Sequence, residues 1–406
     1  VRGLTEDFQA VLKRRLRPGA TTPLAVGFSG GGDSLALLRL TLDWAAGQGR
    51  PVLALTVDHG LNPASAGWAA EAVAKARGLG AEAWALAWIG DKPATGLPAA
   101  ARAARHALLA AAAREAGARV LLLGHTADDR LEAARMRAEG STTPDPRQWA
   151  PSPAWPQGRG VFLLRPLLAA RRQALRDWLV ERGETWLEDP ANGDARFARA
   201  RARFALAGEE AAVPGIASDT PPPGGVEGEH ALGLPRGASA AQIAAACLCA
   251  AGTTTPPRGE RLERLVGRLR SDETFTASLA GARIVADAGG VLFAREAGEG
   301  RRSGLSPLAL AAGETGVWDG RYEITAGHAP ITIRPLGGLA SRLSAEERQA
   351  LKGFPAAVRP ILPAAVDTSG AVSSPILAGD GTIRARVLIR ERFEAATGLV
   401  DQEPAT

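Results

Sequence analysis

Through the first half of the chain, short apolar runs alternate with longer amphipathic stretches. Residues 23–29 (PLAVGFS), 51–59 (PVLALTVDH), 81–88 (AEAWALAW) and 119–125 (RVLLLGH) are each too short for a buried helix and predict strands. Between them, residues 34–49, 65–80 and 99–117 place their apolar positions at helical spacing. Strands that alternate with helices predict an α/β fold with a doubly wound, mostly parallel sheet. The rhythm returns at FLLRPLLAARRQALRDWLVERGE, residues 162–184, so this first domain is expected to run over 1–210.

Residues 211–230 are rich in proline and glycine and predict a flexible connection. Beyond it, residues 239–250 and 258–271 predict helices, and 278–296 predicts strands about a glycine turn, forming a middle region over 231–310. The runs RYEITAG, PITIRPLG and TIRARVLI predict a small β-rich domain over 311–406.

Composition narrows the class. A hydrophobic share of 46% is ordinary for a folded soluble protein of 406 residues, and that length suggests two or three domains. The net charge of +5 permits a nucleic-acid partner. Only Lys13, Lys75, Lys92 and Lys352 are lysines, so the basic charge is almost wholly arginine, which suits bidentate phosphate contacts. Cys247 and Cys249 are the only cysteines, which excludes a disulfide scaffold and a CxxC redox or zinc pair. With no 18-residue apolar span and no secretory pattern at its start, the chain is expected to be cytoplasmic, with no membrane association.

The chemistry starts at SGGGDS, Ser29 to Ser34, between the first strand and the first helix. A dinucleotide GxGxxG anchored at Gly30 needs glycine where Leu35 stands, and a Walker A loop needs lysine where Asp33 stands. What remains is a turn with open backbone N–H groups and two hydroxyls at a positive helix end, suited to an anion. Asp33 beside phosphates makes sense through a divalent cation.

SGGGDS resembles the SGGxDS signature of the PP-loop ATP pyrophosphatases, which cleave ATP between the α and β phosphates. VDHGLNP (Val57 to Pro63), GHTADDRLEA (Gly124 to Ala133) and WLEDPANGDARFARARAR (Trp186 to Arg203) are similar, in order, to segments of the bacterial tRNA(Ile)-lysidine synthetases. Together they cover roughly half the chain.

The resemblance implies ATP as cosubstrate, Mg2+, L-lysine, and a minor tRNA(Ile) with a CAU anticodon. The implied reaction adenylates the C2 oxygen of the first anticodon cytidine, and lysine then attacks C2 and displaces AMP. It implies ATP contacts at Ser29, Gly30, Gly31, Gly32, Asp33, Ser34, His59 and His125, and metal contacts at Asp33 and Asp128. Asp129 and Glu132, one helical turn apart, are the implied lysine pair. Arg102, with Asp33 and Asp128, is the catalytic expectation, and Arg105, Arg196, Arg199 and Arg203 are the tRNA contacts. The middle and terminal regions would support tRNA, and a homodimer stays open.

Two departures stand beside these matches: Arg130 and Ala133 occupy positions where the family usually has glutamine and threonine. A Gly- and Pro-interrupted stretch over 141–160 replaces a regular segment and predicts a rim loop, in which Trp149 and Trp155 either stack on RNA or anchor the loop. The alternatives are another PP-loop RNA-modifying or amidating enzyme, or a catalytically inactive tRNA-binding protein.

Overall fold

The computed structural model describes residues 2–141, 143, 145–188, 198–206, 228–271, 273–298, 305–377 and 381–405. Most of the expected connection, residues 211–227, lies outside the described residues. Two compact units emerge: 1–220 together with 400–406, and 221–399.

The first unit is the expected α/β domain. Strands β1 (Leu24–Gly27), β2 (Val52–Asp58), β3 (Glu82–Ala87), β4 (Val120–Leu123), β5 (Trp149–Pro151) and β6 (Phe162–Leu164) form one sheet in the order β3-β2-β1-β4-β6-β5. All neighbours pair in parallel except β5, which is antiparallel to β6 at the edge. The sheet carries α1 (Arg2–Arg15), α2 (Gly32–Ala46), α3 (Ser65–Gly78), α4 (Leu97–Glu115), α5 (Ala127–Ala138), α6 (Arg172–Val180) and α7 (Ala198–Ala205). β1 and β4 sit at the centre with almost no exposure, because apolar side chains on both faces are covered by helices. On one face Leu109, Ala112 and Ala113 of α4 pack on Ala25, Leu53, Leu121 and Leu163.

The 141–160 stretch is not wholly loop. Trp149 is buried, stacked on Phe162 at 4.9 Å, and donates its indole N–H to the Val400 carbonyl at 2.8 Å. It is an anchor rather than a stacking surface for RNA. Arg130, buried in α5, lies 3.7 Å from Asp145 of this stretch. Thus one departure from the family pattern is matched by a carboxylate that the 141–160 stretch supplies.

The second unit contains α8 (Ala240–Ala251), α9 (Glu260–Leu269) and strands β7 (Leu232–Leu234), β8 (Phe275–Leu279), β9 (Ala282–Asp287) and β10 (Gly290–Arg295), which form an antiparallel sheet in the order β7-β10-β9-β8. Cys247 and Cys249 are buried in α8, and burial pushes both thiols up to about 12. They serve as apolar packing groups at neutral pH. Further on, RYEITAG, PITIRPLG and TIRARVLI each contain a strand, within two small antiparallel sheets. One apolar cluster joins α8, α9 and the first sheet to Ile389 and Phe393, and a second runs from Ala231 to Val372. Among the described residues, no helix is long and apolar enough to cross a membrane.

Candidate active site

Parallel strands end at one edge of the sheet, and the chain must turn there into each following helix, so polar side chains after β1, β2, β4 and β6 collect on that edge. After β1, the chain reverses at Gly30 with φ +81°, a conformation that glycine adopts without strain. A Cβ there would lie 2.6 Å from Leu187 Cδ1, and Leu187 N–H donates to the Gly30 carbonyl at 3.0 Å. The segment 184–187 is therefore a strap laid over the glycine turn. Glu184 anchors it through Arg39 of α2 and Lys75 of α3, each at 3.1 Å.

Helix α2 starts at Gly32 with Gly31 as its N-cap and no side-chain cap. Its first N–H groups are available to an external acceptor, at the positive end of the helix dipole. The Ser34 hydroxyl donates to the Gly31 carbonyl at 2.9 Å and accepts from Ser29 N–H at 3.2 Å, which holds the turn open in a fixed shape.

After β4, Gly124 lets the two loops meet: a Cβ on it would sit 3.0 Å from the Asp33 carbonyl. Thr126 then caps α5, and its N–H and hydroxyl both donate to Asp129 Oδ2, at 2.7 and 3.0 Å. The expected helix over this segment is present, and it turns Asp129 and Glu132 to the same side.

Both carboxylates face Arg172, the first residue of α6, which the sequence reading did not single out. Its guanidinium reaches three acids: Nε to Asp33 Oδ2 at 3.1 Å, Nη2 to Asp129 Oδ1 at 3.6 Å and Nη1 to Glu132 Oε1 at 3.2 Å. Burial works against its charge, but Asp33, Asp129 and Glu132 outweigh it and hold the guanidinium protonated more firmly than an ordinary arginine. Burial is also the largest influence on Asp33, and it raises that carboxyl above the usual carboxylate range despite the opposing pull of Arg172.

Asp128 is turned elsewhere. Its Oδ2 accepts the Arg172 backbone N–H at 2.7 Å, and its Oδ1 lies 3.4 Å from Arg171, so it caps the start of α6. Arg203 of α7 reaches Glu132 Oε1 at 2.9 Å. Arg199 lies on α7, and Arg196 lies outside the described residues.

A basic group occupies the same edge. Arg165, directly after β6, is buried and donates through Nε to His125 Nδ1 at 3.3 Å and through Nη1 to the Arg147 carbonyl at 2.7 Å. Burial, then Arg102 and Arg105 of α4, lower its guanidinium to about 10, so it stays charged at neutral pH. Burial, and next Arg105, also lower the His59 imidazole, which follows β2 and stays neutral. Among the described residues His59 Nδ1 has no hydrogen-bond partner. Arg165 carried one positional signal: like His59 and His125, it is the polar residue after an apolar strand. Arg172 carried none, because nothing local distinguishes it from Arg171.

The edge thus has an open helix terminus for phosphate between an acidic pole that accepts cations and an arginine pole that accepts anions. The PP-loop domain family matches residues 4–210. Among curated proteins, a tRNA(Ile)-lysidine synthase of Caulobacter vibrioides is 55% identical over 99% of both chains. That of Hyphomonas neptunium is 39% identical over 65% of this chain and 79% of its own. A third, from Mesorhizobium japonicum, is 36% identical over 77% and 75%.

Proposed function

The chain belongs to the PP-loop domain family and, within it, to the tRNA(Ile)-lysidine synthases, and we propose that it joins L-lysine to C2 of the cytidine that opens the CAU anticodon of minor tRNA(Ile). It is an ATP-dependent carbon–nitrogen ligase. The observation that carries this assignment to particular residues is the placement of Asp129 and Glu132 one guanidinium away from Asp33 of the phosphate turn.

In the first step the cytosine C2 oxygen attacks the α-phosphorus of ATP, the bond between the α and β phosphates breaks, and pyrophosphate leaves. The N–H groups at Gly31 to Ser34 and the Ser29 hydroxyl hold the phosphates, while the Ser34 hydroxyl fixes the turn through the Gly31 carbonyl. Asp33, with a side chain 27% exposed beside the phosphate turn, would hold Mg2+ there. Among the described residues no group of three His, Cys, Asp or Glu side chains is placed to hold a metal ion between them. Bound Mg2+ would offset the charge of the leaving pyrophosphate. Arg102 and Arg165 offset the charge on the transferred adenylate, with Arg165 orienting His125.

In the second step the ε-amine attacks C2 and AMP leaves with the former C2 oxygen. Asp129 and Glu132 receive the lysine as its ammonium, which loses a proton before attack. Asp128 is assigned a positioning role, through the Arg172 backbone, and the metal contact falls to Asp33. Arg105 and Arg199 are assigned to tRNA phosphate. An anticodon-loop base is unpaired, which lowers the cost of turning it into the site. The reaction belongs in the cytoplasm, with the tRNA pool.

A thiolation reading is disfavoured by the two cysteines, which are buried and protonated in α8. The test follows AMP formation from α-labelled ATP with Mg2+, lysine and a minor tRNA(Ile) transcript. AMP that requires the anticodon cytidine, and is lost when uridine replaces it, supports the reading; AMP formation indifferent to that base rejects it.

A further inference from the structure

We infer that Arg172 is a resident counter-ion that substrate cations displace, and that this displacement couples metal–nucleotide binding to lysine binding. The inference rests on the roles proposed above for Asp33, Asp129 and Glu132.

One planar guanidinium spans both halves of the acidic pole. Its Nε faces Asp33 on the phosphate side at 3.1 Å, while Nη2 and Nη1 face Asp129 and Glu132 at 3.6 and 3.2 Å. The cation is mostly buried, with a side chain 15% exposed, and Glu132 is only 2% exposed. A lysine ammonium therefore cannot approach Glu132 and Asp129 while the guanidinium holds its place. The two halves of the contact also cannot be given up separately. The fork is rigid, so a rotation that clears Asp129 and Glu132 pulls Nε from Asp33 as well. The backbone cannot follow, because Asp128 Oδ2 holds the Arg172 N–H at 2.7 Å at the start of α6. What moves is the side chain.

Arg203 contacts Glu132 at 2.9 Å, Arg171 contacts Asp128 at 3.4 Å, and Arg176 acts on Asp33 through charge alone. Whichever ligand binds first meets the cost of moving Arg172, and the second finds the Arg172 contact already broken. Binding of each then strengthens binding of the other by the same factor, as linkage requires. A fixed structural ion pair, which is the plainer role for such a hub, predicts no such coupling.

Calorimetry with the full chain separates these roles. Lysine is titrated with and without Mg2+ and α,β-methylene-ATP, which cannot be cleaved at the reacting bond. In the wild type the nucleotide should tighten lysine binding by about tenfold, within the usual range for coupled sites. In Arg172→Gln, lysine alone should bind more tightly than it does to the wild type, and the nucleotide effect should fall to about one. Arg172→Lys keeps the charge but cannot bridge, so it should recover thermal stability without recovering coupling; it also serves if the glutamine variant does not fold. Coupling retained in either folded variant overturns the inference, as does lysine binding in the wild type that ignores the nucleotide. Absence of lysine binding under every condition overturns instead the lysine role of Asp129 and Glu132.

Discussion

Asp33 stands where the phosphate turn becomes a helix, and its neighbours fix what a substitution there would do. Its carboxyl is raised by burial and faces Arg172 at 3.1 Å, so Asp33→Asn removes a charge without removing volume. Turnover should fall by about a hundredfold or more, the scale of losing one charge-stabilising group. Affinity for tRNA should persist, since the proposed tRNA contacts lie elsewhere; a gel-shift titration beside the kinetics checks both.

His106 of α4 gives a pH-dependent counterpart. It is 4% exposed, and burial, then Arg105 and Arg102, push its imidazole down to about 3 from an ordinary value of 6.5. Between those values the unfolded chain binds the proton that the folded chain refuses. Stability is therefore complete above 6.5 and is lost as pH falls toward 3, by up to a few kcal/mol. His106→Gln should flatten that part of the denaturant-midpoint profile; an unchanged slope would place the acid sensitivity elsewhere. Residues of this kind were unevenly legible. Asp33, Asp129 and Glu132 lie within recognisable local patterns, whereas Arg172 acquires its role only when α5 and α6 are packed.

Elements show the same division. β1, β2 and β4 were legible because a central parallel strand buries both faces and must be apolar throughout. β5 was not: it is three residues ending in Pro151, paired only at the sheet edge. The strap at 184–187 was equally hidden, since its function is a packing relation with Gly30. Its consequence is testable. Gly30→Ala meets both the φ of +81° and the Leu187 side chain, so the turn must shift. The strain of about 1–2 kcal/mol should raise the KM for ATP by about tenfold. Adding Leu187→Ala should recover part of the loss, because the contact is relieved and the dihedral strain is not; full independence of the two changes in a double-mutant cycle would contradict the contact.

At the scale of the molecule, the first unit is closed by residues distant in sequence. Glu403 accepts from Arg50 through both oxygens, at 2.7 and 2.9 Å, with side chains 1% and 2% exposed, and also accepts from Thr22 and the Arg17 N–H. No local pattern marks a pair separated by 353 positions. Glu403→Gln leaves Arg50 buried without its counter-charge and should cost about 3–5 kcal/mol in unfolding experiments. Replacing Arg50 and Glu403 together by methionine should restore most of that. Equal stability of Glu403→Gln and wild type would show that the pair is dispensable.

The group attached to the tRNA distinguishes lysine ligation from every other chemistry of this fold. The most direct measurement is nucleoside mass spectrometry of minor tRNA(Ile) transcript after incubation with the protein, Mg2+, ATP and lysine. The predicted result is a nucleoside heavier than cytidine by lysine less water, mapped to the first anticodon position and absent when ATP or lysine is withheld. Unmodified cytidine in tRNA that the protein nevertheless binds, or oxygen-to-sulfur exchange in place of lysine addition, would contradict it.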